Sequence, residues 1–411
     1  MDFHTTADQA FVRDVNLSLI LRSIHYEAPL SRARLASLTG LNKSTVSSLV
    51  EELLNLRLIH ETGMNSAGAG RPATLLEINP QAGYVVGVEF GVDFVSVALT
   101  DFLGQVLWRQ FSEADPAASL ENTLAQVMKL VDAALQIARQ NLWPLLGMGV
   151  AIPGTVDLDN GLLVFAPNLH WHNVPLRRIF SEHSGLKVFV ENDANAAAIA
   201  EHLFGVARQC KDFIFVFAGV GIGGGLFLNG SLYRGRNGYA GELGHSPIMA
   251  EPYQSLCRCG NRGCWETYAN QDSIIQRLRS CLETEPAGIL PSLLKDPSVT
   301  LSIPIIKHAA DLGDAASIES FAQAGAAMGQ GFASLINIFN PEKIVLGGPL
   351  SLAGEYLLPA IQRAVLQHSM PGIVQQSDVF LSRFGPDASL IGAVAIVADD
   401  VLSKPASVER R

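Results

Sequence analysis

Charge is scarce in this sequence: Asp, Glu, Lys and Arg make up 17% of its 411 residues, against 48% apolar ones. That balance excludes a largely disordered chain, which could not bury enough apolar surface to offset its conformational entropy. No apolar run reaches the roughly 18 residues that a membrane helix needs. The opening MDFHTTADQAFVRD also lacks the basic-then-apolar pattern of a signal peptide. Both absences point away from membrane and export, and toward the cytoplasm. Cysteine is sparse as well. The five present, Cys210, Cys257, Cys259, Cys264 and Cys281, are an odd number, which argues against a disulfide framework. What remains is ample core material in a chain long enough for two or three domains.

The little charge there is lies unevenly. Residues 1–75 hold seven basic and seven acidic side chains, so the net charge of −10 belongs entirely to the rest. Residues 31–50 contain Arg32, Arg34 and Lys43 and no acid, a local basic face on an acidic protein. VNLSLILRSIHYEAPL has apolar residues at 15, 17, 19, 20, 21 and 24, a helical spacing that Pro29 ends. SRARLASLTG reads as a second helix, with Ser31 as N-cap and Gly40 as the turn residue. LNKSTVSSLVEELLNLRLI is a third, with Val46, Leu49, Val50, Leu53 and Leu54 on one side and Lys43, Ser44, Thr45, Ser47 and Ser48 in its first turns.

A helix, a tight turn and a helix with a polar, basic start form the helix-turn-helix pattern. Its short side chains can reach phosphates and base edges without filling the groove. Two apolar runs around the Gly-rich tip of LIHETGMNSAGAGRPATLLEI read as a β-hairpin wing, with Arg71 placed for a minor groove or a phosphate. The alternative is a three-helix bundle with a solvated polar face. The expected DNA contacts are Arg32, Arg34, Lys43, Ser44, Thr45, Ser47 and Arg71, and such modules usually dimerise on a palindrome.

From Gly83 onward, short Val/Ile/Phe-rich strands alternate with helices, as in an α/β fold. YVVGVEF, FVSVALT and QVLWRQF read as a three-strand meander, and DFIFVFAGVGIGGGLFLNGSL faintly echoes that opening. The echo suggests a duplicated fold with a cleft between two lobes. GVGIGG at 219–224 matches the dinucleotide-binding pattern formally, but that loop must open a helix. Here LFLNGSL follows, which alternates like a strand, so a Gly-rich hairpin is expected instead. The small residues Ala324-Gly325-Ala326-Ala327-Met328-Gly329 suit close packing either in a core or across a subunit interface.

GELGH (241–245), CRCGNRGCWE (257–266), ENDANAAA (191–198), GVGIGGG and IVLGG together resemble the ROK family of sugar kinases and sugar-responsive repressors. The resemblance implies the two-lobed, actin-like ATPase fold (ribonuclease H-like) behind an N-terminal winged helix-turn-helix domain. The expected boundaries are 1–79 for the DNA reader, 80–200 for the first α/β lobe and 201–411 for the second, with the C-terminal helix returning to the first lobe. The N-terminal stretch resembles the xylose-repressor branch. The partners it implies are double-stranded operator DNA, a monosaccharide effector (xylose first, glucose second) and further copies of the chain in a homodimer or homotetramer.

Cys257-x-Cys259-x4-Cys264 offers three soft ligands, and His245 lies just upstream; together they saturate a tetrahedral Zn2+ and leave no open position for catalysis. The expectation is a structural zinc, against a C-x-C redox pair or unliganded thiols. Cys210 and Cys281 are expected in the core. The resemblance assigns sugar binding to Asn168, Asn192, Asp193, Glu242, His245 and Glu266, with His245 sharing its two ring nitrogens between metal and sugar. Asp193 occupies the position of the kinase base, although it could also simply cap the helix that follows. Family kinases carry an Asp-x-Gly-Gly-Thr phosphate loop, whereas this chain reads Glu89-Phe90-Gly91-Val92-Asp93. The expected function is therefore a sugar-sensing repressor, with a sugar kinase as the alternative.

Overall fold

The computed structural model describes residues 9–65, 73–115, 117–236, 238–248, 255–284, 288–296, 299–373 and 378–408. The reader comprises helices Gln9–Glu27, Arg32–Thr39 and Lys43–Asn55, followed by the antiparallel wing strands Ile59–Asn65 and Ala73–Ile78. Its local signals act as sequence chemistry dictates. Ser31 Oγ accepts from Arg34 N, Gly40 closes the second helix at φ 70°, and Asn42 Oδ1 accepts from Thr45 N. Val46, Leu49, Val50 and Leu53 are buried, while Leu54 is partly so. The first helix begins earlier than expected and splits its apolar residues. Leu17, Ile20, Leu21 and Ile24 are buried, but Val15 and Leu19 are exposed.

Each body lobe is built on a five-stranded sheet. In the first, Tyr84–Phe90 pairs antiparallel with Phe94–Asp101, which pairs with Val106–Glu113. On its other side it runs parallel to Leu145–Ile152 and then Val188–Asn192. The second repeats that order: Phe213–Ala218 is flanked by the antiparallel strands Ile222–Leu228 and Ser231–Tyr233, and by the parallel strands Lys343–Gly347 and Asp378–Leu381. The echo heard in the sequence is thus a shared topology. The Gly-rich segment turns into strand Ile222–Leu228 rather than into a helix.

Two helices join the lobes. Asp193–Leu203 and Ala388–Ser403 pack against each other, and the latter also covers the first-lobe strands Tyr84–Phe90 and Leu145–Ile152. Residue 200 falls inside the first of these helices. The small residues of helix Ala315–Phe339 pack within the chain, against helix Gly354–His368: Ala324, Gly325, Met328 and Gly329 are buried there. A small three-stranded sheet, Thr155–Asp157, Leu162–Ala166 and Trp171–Val174, carries Asn168 in its last connection.

The reader's core is continuous with that of the body. Leu17, Ile20, Leu21 and Ile24 join Ile199, Leu203, Phe204, Ala398 and Leu402 in one cluster. Polar contacts fix the docking. Arg22 donates to Asp399 Oδ1 at 2.8 Å and to Ser403 Oγ at 2.6 Å. His25 Nε2 donates to the Leu203 carbonyl at 3.0 Å, and the Tyr26 hydroxyl hydrogen-bonds His202 Nε2 at 2.8 Å. The reader is therefore packed onto the helix pair that joins the lobes. Among the described residues, no helix is long and apolar enough to cross a membrane.

Candidate ligand and metal site

The loop before the short helix Glu266–Ala269 gathers His245, Cys257, Cys259 and Cys264, whose ligand atoms all lie within 4.8 Å of one another. Cys259 Sγ is 3.8 Å from Cys264 Sγ, and Cys257 Sγ is 3.7 Å from His245 Nδ1. A disulfide would need about 2.05 Å. A tetrahedral zinc with Zn–S of about 2.3 Å has ligand–ligand edges of about 3.8 Å, so the donor set and its spacing fit that ion. Burial and the neighbouring sulfurs push the Cys264 thiol up to about 12, so that sulfur needs a cation beside it to ionise, whereas hydrogen bonds to its thiolate hold the Cys259 thiol below its ordinary value. Cys210 is buried as expected; Cys281, contrary to expectation, is exposed near the end of helix Gln271–Thr284, past its last buried position, Leu278.

The loop holds more than its ligands. Trp265, between Cys264 and Glu266, is fully buried and donates Nε1–H to the Ala327 carbonyl at 2.9 Å. Glu266 stands between the metal loop and the Gly-rich hairpin: Oε2 accepts from Ile222 N at 3.0 Å, and the Cys257 thiol points at Oε1 across 3.8 Å. His245 turns Nδ1 to the sulfur cluster and Nε2 toward Glu242, 3.8 Å away. That division leaves the Nε2 edge for the cleft.

Asn168, Asn192, Asp193, Glu242, His245 and Glu266 all line one cavity of about 1070 Å3 between the lobes. Asn192 also has structural work. Its Oδ1 caps the following helix through Asn195 N at 3.1 Å, and its Nδ2 donates to the Gly154 carbonyl at 3.1 Å. The cap is thus Asn192 rather than Asp193, which leaves the Asp193 carboxyl in the cleft. Burial, reinforced by the charge of Glu242, pushes Asp193 up to about 6. Glu89 is buried more deeply. Desolvation, with Asp387 and Asp193 nearby, raises it to about 8, so it holds its proton at neutral pH.

Several residues here escaped the sequence reading. Arg258, placed between two cysteines of the cluster, donates to Asp272 Oδ2 at 2.7 Å and reaches across the cleft to Asn168 Oδ1 at 3.4 Å. Its position inside the Cys-x-Cys step was the available signal. Buried Glu191 pairs with Arg234 and so ties the first-lobe strand to the second lobe. Only three-dimensional proximity reveals that pair.

In the reader, Arg34, Lys43, Ser44 and Ser47 are exposed and Thr45 is half-buried. Arg32 is partly committed to an ion pair with Glu61 of the wing, 3.0 Å away. Arg71 lies outside the described residues.

A family model described as the ROK family matches residues 85–400. A xylose repressor of Caldicellulosiruptor bescii is 31% identical over 97% of this chain and 99% of its own length. The crystal structure of a ROK family transcriptional regulator, a homologue of the E. coli MLC protein, superposes with a TM-score of 0.80 at 28% identity. The match covers 96% of this chain and 97% of that one. A ROK family glucokinase from Streptomyces griseus, in complex with glucose and AMPPNP, gives a TM-score of 0.68 at 30% identity, over 76% of this chain and 99% of that one.

Proposed function

The chain belongs to the ROK family, and from that membership we propose that it is a sugar-responsive DNA-binding transcriptional repressor of carbohydrate catabolism, not a kinase. The observation that carries this reading is the junction of reader and cleft through one helix. Asn192 and Asp193 stand at the N-terminal end of helix Asp193–Leu203 and line the cleft. At its other end, about 16 Å away for 11 residues, His202 and the Leu203 carbonyl bond the reader's first helix. A sugar that pulls on the first end tilts the second. The relatives' names put xylose first among the effectors, and glucose follows.

Zinc in this reading is a structural clamp held by His245, Cys257, Cys259 and Cys264. It supplies rigidity, while Glu266, Glu242 and the free edge of His245 supply the acceptors and donors that neighbouring sugar hydroxyls require. Asn168 and Asp193 complete the set from the first lobe. DNA is met by Arg32, Arg34, Lys43, Ser44, Thr45 and Ser47, and Arg71 is assigned to the same contact from the sequence. Two copies reading a palindrome would sense lobe closure as a change in reader spacing, and a cytoplasmic location goes with that role.

Phosphoryl transfer has lost its support. It depends on positioning and charge neutralisation, yet no Lys or Arg is among the described residues lining the cavity. Glu89 is protonated rather than free to hold Mg2+, and Val92-Asp93 replaces Gly-Thr in the phosphate loop.

The test uses a duplex selected from a random pool for binding to the full chain. Its affinity is titrated with xylose, glucose and N-acetylglucosamine, alongside a coupled ADP assay. A sugar-dependent change in duplex affinity without ADP release is expected; sugar-dependent ADP release would restore the kinase.

A further inference from the structure

The cavity is larger than one sugar ring needs. Its volume of about 1070 Å3 slightly exceeds the roughly 300–1000 Å3 range that holds drug-sized ligands. From the hydroxyl-binding residues it continues to the lip of the first lobe, where the loop after strand Tyr84–Phe90 turns. Phe94 and Phe111 stand there on adjacent strands, with Phe94 opposite Glu113 and Phe111 opposite Ser96. Their rings stack at 5.3 Å and 24°. Gly91 lets Phe94 lie over the loop, since a Cβ there would fall 2.2 Å from Phe94 Cε1. Phe111 remains 52% exposed. Asp93 and Glu113 line the same end of the cavity.

Exposed aromatic faces beside carboxylates suit one class of ligand. A pyranose lays its apolar C–H face on a ring and directs its equatorial hydroxyls to acceptors at the edge. Charge narrows the class further. Besides the protonated Glu89, the cavity is lined by Asp93, Glu113, Asp193, Glu242 and Glu266; no Lys or Arg is among the described lining residues, and Arg258 at its margin is already paired with Asp272. A phosphorylated sugar or a nucleotide would meet like charge at close range. The place where a kinase of this family handles phosphates is here an aromatic lip.

We propose that Phe94 and Phe111 form a second subsite, so that besides a single xylose or glucose ring the cleft takes an uncharged two-ring glycoside, one ring in the hydroxyl-binding pocket and the next stacked on this lip. The inference rests on the sugar-sensing reading and specifies its ligand.

Calorimetry on the zinc-loaded full chain tests it with xylose, xylobiose, glucose, cellobiose and glucose 6-phosphate. At least one disaccharide binds about tenfold more tightly than its monosaccharide, in line with one added ring contact. Phe111→Ala, at a half-exposed position, removes that advantage and leaves monosaccharide affinity within about twofold; Phe111→Tyr retains the advantage. Equal affinities for one and two rings, an advantage that survives Phe111→Ala, or glucose 6-phosphate binding as well as glucose would each overturn the inference while leaving monosaccharide sensing intact. No heat with any sugar would overturn both.

Discussion

Gly331→Ala places one methyl group on the buried face of helix Ala315–Phe339, where the added Cβ would fall 2.2 Å from Cε2 and 2.4 Å from Cζ2 of Trp265. Carbon atoms rest at about 3.5–4.0 Å, so the indole or the helix must move by more than an ångström. Helix propensity alone would make the substitution stabilising by about 1 kcal/mol. Overpacking costs about 1–3 kcal/mol, and breaking the bond from the buried Trp265 indole to the Ala327 carbonyl adds about 1–3 kcal/mol. The net expectation is a loss of about 1–5 kcal/mol in urea denaturation.

The functional consequence is the sharper one. Trp265 lies between a metal ligand and Glu266, so its displacement shifts both. Zinc retention falls, and xylose affinity measured by calorimetry drops about tenfold, close to 1.4 kcal/mol. Sugar-free duplex affinity is unchanged. A variant that gained about 1 kcal/mol, as an unobstructed Gly→Ala would, with zinc and sugar affinity intact, would refute the clamp reasoning.

Cys264→Ser removes one of four ligands; atomic emission then finds less than one zinc per chain, and sugar binding weakens because Glu266 loses its fixed neighbour. The docking of the reader depends on two neutral imidazoles: burial holds His25 and His202 down at about 4, against an ordinary 6.5. Lowered histidine values mean stability that is present above 6.5 and lost as pH falls toward 4, by up to about 3 kcal/mol for His25. Hydrogen exchange in helix Gln9–Glu27 should therefore accelerate between pH 6.5 and pH 4 before the body unfolds. Glu89 has the opposite sign. Raised to about 8, it makes the fold less stable as pH rises from 4.5 through 8. Glu89→Gln should flatten that slope and stabilise the protein by about 1–3 kcal/mol at pH 8, read from urea midpoints.

Much of the site was legible in the sequence because its signals are local. Ser31 and Gly40 act within one turn of chain, and the Cys-x-Cys-x4-Cys spacing places three candidate ligands in one loop with His245 12 residues upstream of Cys257. The doubled sheet was audible because each half opens with the same strand and hairpin. What was not legible depends on approach through space. The apolar residues of the first helix revealed a helix but not that it docks on Ile199, Leu203 and Leu402, nearly two hundred or more positions away. The ion pair of Glu191 with Arg234, the reach of Arg258 to Asn168 and the stacking of Phe94 on Phe111 leave no periodic trace. Cys281 was misplaced because a cysteine near a helix end carries no sign of whether the core extends that far.

If the cleft and the reader communicate through helix Asp193–Leu203, the coupling must be reciprocal. The direct measurement is calorimetric: sugar affinity of the free chain against that of the chain saturated with its selected duplex. A difference of about 5–150-fold, matched by the same factor in duplex affinity with and without sugar, is predicted. Identical sugar affinities in the two states would contradict it.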